Sequence, residues 1–179
     1  MKKILIIALA ALFIGYAFWS CEKDDICPEG TPTTPRLVVR FFNFENQTVA
    51  RTVTNLSVKA TGMEEPVEWA ANTFVLSDTI ARLPLRVDGN TTSYELTINS
   101  TAEAPARNTD IITFNYSTNE VYLSRACGYK TQFLLDPNVP VTAPNPLLDA
   151  GLDGAWIRQI TVQQPNIEDE NERHINIFF

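Results

Sequence analysis

The chain has 179 residues, 14 basic (Lys and Arg) against 21 acidic, a net charge of −7, a mean hydropathy of −0.07 and one histidine. That acidic balance argues against nucleic acid and anionic lipid headgroups as partners. One histidine is too few for a conventional zinc site, and any Ser-His-Asp triad would rest on that single residue.

In chain order, the first element is a leader. Lys2 and Lys3 precede an apolar run from Ile4 to Trp19, sixteen residues, short of the ~20 that span a hydrocarbon core. Acids follow it where a stop-transfer segment would carry basic residues, so cleavage is expected. Phe18-Trp19-Ser20-Cys21 resembles the lipobox of bacterial lipoproteins through Ser20 and Cys21. The reading is a signal peptide over 1–20 and a lipid-modified Cys21 as the mature N-terminus. Several acyl chains there make a stable membrane anchor, since each buried CH₂ is worth ~0.8 kcal/mol. Cleavage removes two lysines and no acid, leaving 159 residues with a charge of −9.

Glu22-Lys23-Asp24-Asp25 resembles the export signal that sends lipoproteins of Bacteroidota to the outer face of the outer membrane. Its plain alternative is the solvated start of a tether. Residues 21–35, with Pro28, Gly30, Pro32 and Pro35, form an acidic, Pro-rich tether that reaches no more than ~50 Å at ~3.3 Å per residue. With Cys21 lipidated, Cys27 and Cys127 are an even pair in an oxidising compartment, and a disulfide is expected. The competing metal or redox reading lacks a C-x-x-C and a neighbouring His.

From residue 36 onward the pattern has period two. Leu37 to Phe42 opens it, then Val53 to Val58, then Leu83, Leu85 and Val87. Ser93 to Asn99 alternates most cleanly, with Tyr94, Leu96 and Ile98 on one face. Ile112, Phe114 and Tyr116 lead to a turn at Ser117–Glu120 and a return strand through Val121, Leu123 and Arg125. Thr131 to Leu135 follows, and Pro137, Pro140, Pro144 and Pro146 interrupt the pattern over 136–150. Trp156 to Val162 and Arg173 to Phe179 end it, joined by the acidic stretch 167–172. Pro84 lacks a ladder donor, which marks an edge strand. No helical periodicity appears outside the leader. These elements predict one all-β domain over 36–179, an antiparallel β-sandwich of immunoglobulin-like or transthyretin-like type.

Chemistry is sparse. His174 alternates with Asn176 and reads as an exposed strand residue. No G-x-S-x-G, H-E-x-x-H, P-loop or C-x-x-C is present. A glycosidase needs only two carboxylates, and Glu64, Glu65, Asp110, Asp149, Asp153 and the 168–172 cluster supply candidates without singling one out. Asp149 to Gly154 reads as a Gly-rich turn rather than a calcium loop, lacking EF-hand spacing. Asp78-Thr79-Ile80 fits an acidic-hydroxyl-aliphatic O-glycosylation pattern at Thr79, against an ordinary polar turn. Trp156 is expected in the core, and Trp69, beside Glu64, Glu65 and Glu68, exposed.

Three patches together resemble a family of small β-rich lipoproteins of Bacteroidota of unknown function: Cys21 to Cys27 with Thr34 to Leu37, Leu83-Pro84-Leu85 with Thr92-Ser93-Tyr94, and Ser124 to Gly128. The resemblance implies a lipid anchor, paired cysteines and a β-rich body, and brings no activity. The functional expectation is a lipid-anchored, non-enzymatic binding or accessory module of the outer membrane, surface-exposed or else on the periplasmic face. It has no cofactor and no metal, and its partner is an envelope protein or a glycan. The alternatives are a glycan-binding accessory of an uptake system, with a tryptophan stacked on sugar, and a carboxylate glycosidase.

Overall fold

The computed structural model describes residues 26–31, 33–135, 147–149 and 154–179. Cys21, the Glu22–Asp25 signal, Asp153 and most of the Pro-rich 136–150 segment lie outside them. Among the described residues the chain is all β: β1 Leu37–Phe42, β2 Ser57–Ala60, β3 Ile80–Leu83, β4 Thr91–Ile98, β5 Asn108–Ser124, β6 Gly128–Leu135, β7 Leu147–Asp149, β8 Gln159–Val162, β9 Asn166–Ile167 and β10 Ile175–Phe178. No helix among them is long and apolar enough to cross a membrane.

Two compact units emerge. The larger comprises Thr34–Glu120 and Thr131–Phe179; the smaller holds the described residues up to Thr33 together with Val121–Lys130. The larger is a β-sandwich. One sheet runs β3-β1-β10-β8, the other β2-β4-β5-β6-β9 with β7 also paired to β5. Leu37, Val39, Phe41, Ile175 and Ile177 of the first sheet meet Val58, Tyr94, Leu96, Ile112, Phe114 and Phe133 of the second in one buried cluster. Alternation explains this directly, because successive side chains leave opposite faces of a strand. β4 stops at Ile98 because Asn99 adopts a left-handed φ of 49°, which Asn tolerates better than most residues.

The antiparallel expectation is amended at one pair. β1 and β10 run parallel, Val39 beside Ile175 and Phe41 beside Ile177, while β3 and β8 flank them antiparallel. β3 is an edge strand, as expected, but Pro84 lies just past its end rather than inside it, so the proline ends the strand and takes no place in its ladder.

The turn expected at Ser117–Glu120 is not one. β5 continues through those exposed residues to Ser124, and the chain reverses at Arg125–Cys127. There Ser124 Oγ accepts the Cys127 N–H at 3.0 Å, and Gly128 takes a φ of 68°. A polar run on a solvated strand carries the same residue types as a turn, and only glycine accepts that φ without strain. Ile167 is likewise a fully buried strand residue paired to Phe133, not the start of an acidic linker.

Candidate functional site

The outer face of the four-stranded sheet carries a depression of about 460 Å3. Its floor follows from the pleat: with Leu37, Val39 and Phe41 turned to the core, Val38 and Arg40 take the opposite face. Ile80 and Arg82 of β3, Gln163, Gln164 and the Glu170–Arg173 loop also line it.

Charge organises this groove. Arg36 grips Glu170 in a fork, Nε to Oε1 and Nη2 to Oε2 both at 2.8 Å, and its backbone N–H donates to Oε1 at 3.0 Å. Arg82 Nε approaches Oε2 at 3.2 Å. The Arg36 hydrogen bonds hold the Glu170 carboxyl below the usual carboxylate range, against an opposing effect of burial. Nearby, the guanidinium carbons of Arg40 and Arg173 lie 5.4 and 5.6 Å from the Phe42 ring centroid, within cation–π range. Phe42 also packs on Phe178 at 5.6 Å.

Arg40 sits beside Asn176 in the β1–β10 register. Arg40 Nε and Asn176 Oδ1 are both buried and have no hydrogen-bond partner. A hydroxyl, which donates and accepts, would satisfy the two together.

The expectation of an exposed His174 is corrected. His174 is 1 % exposed, and Nδ1 accepts the Val38 N–H at 2.9 Å. Its own N–H donates to the Val38 carbonyl, and its carbonyl accepts from Gln163 at 2.8 Å. Asn176, assigned with it to the solvated side, is also buried. The alternation was legible; the cover on both faces of a central strand was not. Burial lowers the His174 pKa, outweighing the nearby acids Asp169, Glu170 and Glu172. With Nδ1 used as an acceptor, the proton of the neutral ring belongs on Nε2.

The carboxylate candidates scatter. Asp110 is fully buried on β5 and its Oδ2 accepts the Ile157 N–H at 2.8 Å. Asp169 accepts the Asn171 N–H within its own loop, and Glu64 and Glu65 are exposed between β2 and β3. Only Glu170 and Glu172 share the groove. Thr79 is half-buried; its N–H and hydroxyl both donate to Asp78 Oδ1, and its carbonyl accepts the Phe41 N–H at 2.9 Å. Among the described residues no cluster of three or more His, Cys, Asp and Glu is arranged for a metal ion.

Trp156 is buried as expected, its Nε1 donating to the Leu96 carbonyl at 3.1 Å. Trp69 was expected to be exposed and is instead half-buried against the core, with Nε1 buried and unpartnered. The buried Trp156 ring is not available for sugar stacking. Sequence reasoning missed Arg36, Arg40, Arg82 and Arg173; the signal available was Arg40, a lone charge inside an apolar strand.

In the smaller unit Cys27 and Cys127 form the expected disulfide, with Cα atoms 4.8 Å apart across a sequence separation of 100. Thr31 Oγ1 lies 3.7 Å from Cys127 Sγ, and Tyr122 and Tyr129 meet edge to face at 5.3 Å.

The chain belongs to a family of proteins of unknown function, DUF6452, which matches residues 55–179. No curated protein and no solved structure matches the chain.

Proposed function

We propose that this member of the family is a lipid-anchored, non-enzymatic binding module of the bacterial outer membrane, held through Cys21 and directed to the surface by Glu22–Asp25. The observation that carries the reading is the Cys27–Cys127 disulfide. Such a bond belongs to an oxidising compartment outside the cytoplasm, and Cys27 follows the candidate lipid site by six residues. Glu170 does not suit the general-acid role of a glycosidase, which needs a raised pKa, because its hydrogen bonds to Arg36 lower its own. Cys21→Ala tests the anchor: the variant is expected in the aqueous phase on detergent partitioning, and its retention in the detergent phase overturns the lipoprotein assignment.

A second reading, a glycan-binding accessory, is favoured by Arg40, which lines the groove and whose buried Nε has no partner. A sugar hydroxyl oxygen is the kind of acceptor that this donor lacks. Arg40→Ala is expected to abolish retention on envelope glycans while Cys21 anchoring is unchanged; unchanged retention removes this reading. Thr79 as a carrier of O-glycan remains part of the surface proposal, read out as a mass loss in Thr79→Ala.

A further inference from the structure

The smaller unit combines two exposed aromatic rings, a disulfide and a short link to the candidate lipid. Tyr122 is 55 % and Tyr129 66 % exposed, one on each arm of the β5–β6 turn, and Ile26, next to Cys27, is 79 % exposed. Neither tyrosine belongs to the core cluster. Tyrosine pairs an apolar ring with a polar tip, the combination that settles at the boundary of hydrocarbon and water.

We infer that the tip of the β5–β6 turn, through Tyr122 and Tyr129, docks on the phosphate-bearing headgroup layer of the membrane that holds the chain's own lipid. The inference rests on the anchor reading and adds a contact to it. Its argument is reach. Six residue steps separate Cys21 from Cys27, a span of at most about 20 Å when fully extended. The disulfide transfers that limit to Cys127, and hence to Tyr129 two residues on and Tyr122 five residues back. The headgroup region itself is some 5–8 Å deep on each side of the hydrocarbon.

Charge is locally favourable. The whole chain is acidic, yet Val121–Lys130 contains Arg125 and Lys130 and no acid. Arg125 is exposed. Glu29 is the one acid among the described residues of this unit. Glu22, Asp24 and Asp25 of the tether oppose an anionic surface with only Lys23 against them, so the rings rather than the charges carry the contact.

The test uses full-length lipidated protein in phosphatidylethanolamine–phosphatidylglycerol vesicles containing a shallow brominated lipid. Tyr122→Trp adds one indole, and the parent protein supplies the background from its native tryptophans. The expected result is co-flotation with the vesicles, a blue-shifted emission from the new indole and loss of most of that emission to bromine. Co-flotation with a red, unquenched indole overturns the docking and leaves the anchor standing. Protein that stays out of the floated vesicles overturns both. Adding Cys27→Ser with Cys127→Ser is expected to keep flotation and abolish quenching; quenching that survives overturns the disulfide as the element that brings the tip to the surface.

Discussion

His174 and Val38 make a two-way contact across 136 positions of chain: the imidazole Nδ1 accepts the Val38 N–H at 2.9 Å, and the His174 N–H donates to the Val38 carbonyl. Protonating Nδ1 would set two donors against each other. Burial holds the folded pKa of His174 below its ordinary 6.5, against the nearby acids Asp169, Glu170 and Glu172. Between the two values the unfolded chain binds the extra proton, so stability falls as pH drops below 6.5 and levels off beneath the folded pKa. Urea melts from pH 7.5 to 5 should show this loss in the parent and a flatter profile in His174→Gln. At pH 7.5 the variant should be weaker by about 1–3 kcal/mol, the usual cost of a buried donor without its acceptor.

Glu170 acts lower on the pH scale. Its folded pKa lies below 4.5, so its contribution is present above 4.5 and is lost as pH falls through the depressed value. Arg36 is 52 % exposed at the side chain and Glu170 27 %, so solvent screens the pair and Glu170→Gln should cost only about 1 kcal/mol at neutral pH. That difference should shrink in high salt and narrow as pH falls from 4.5 through the depressed value. A gap that does not narrow with falling pH would mean the residue acts through packing.

Trp156→Ala should destabilise by about 3–5 kcal/mol through lost transfer and an unfilled cavity, since the ring is buried and packs edge-on to Phe179 at 5.5 Å. Trp69→Phe should be close to neutral, because it removes a buried N–H that has no acceptor and keeps an aromatic ring against the core. Urea midpoints of the two variants decide both assignments.

The Cys27–Cys127 bridge closes a separation of 100 residues, and its reduction should cost about 2–5 kcal/mol. A denatured, unreduced ectodomain lacking Cys21 should titrate no free thiol. Two thiols per chain there would remove the bridge.

Much of the sandwich was readable in single strands. Tyr94, Leu96, Ile112, Phe114 and Tyr116 are all buried where period two puts them. What escaped depends on which strand lies beside which. Nothing local announces that β10 sits inside its sheet with cover on both faces, and that cover turns His174 and Asn176 from solvated residues into buried ones. The groove is hidden for the same reason. Arg36, Arg82 and Glu170 are remote in sequence, and only the β3-β1-β10 register gathers them. Local chemistry misled at Ser117–Glu120, where solvated strand residues share the vocabulary of turns.

The parallel β1–β10 pair also constrains the order in which the molecule is made. β1 is synthesised early and can recruit β3, about forty residues later, but its other side stays open until β10 emerges. Until then an apolar strand presents unpaired backbone groups, the feature that invites pairing with a foreign chain. Such distant pairing also closes slowly. The chain should depend on an escort until β10 is available, and disrupting β10 should yield aggregate rather than a shortened sandwich.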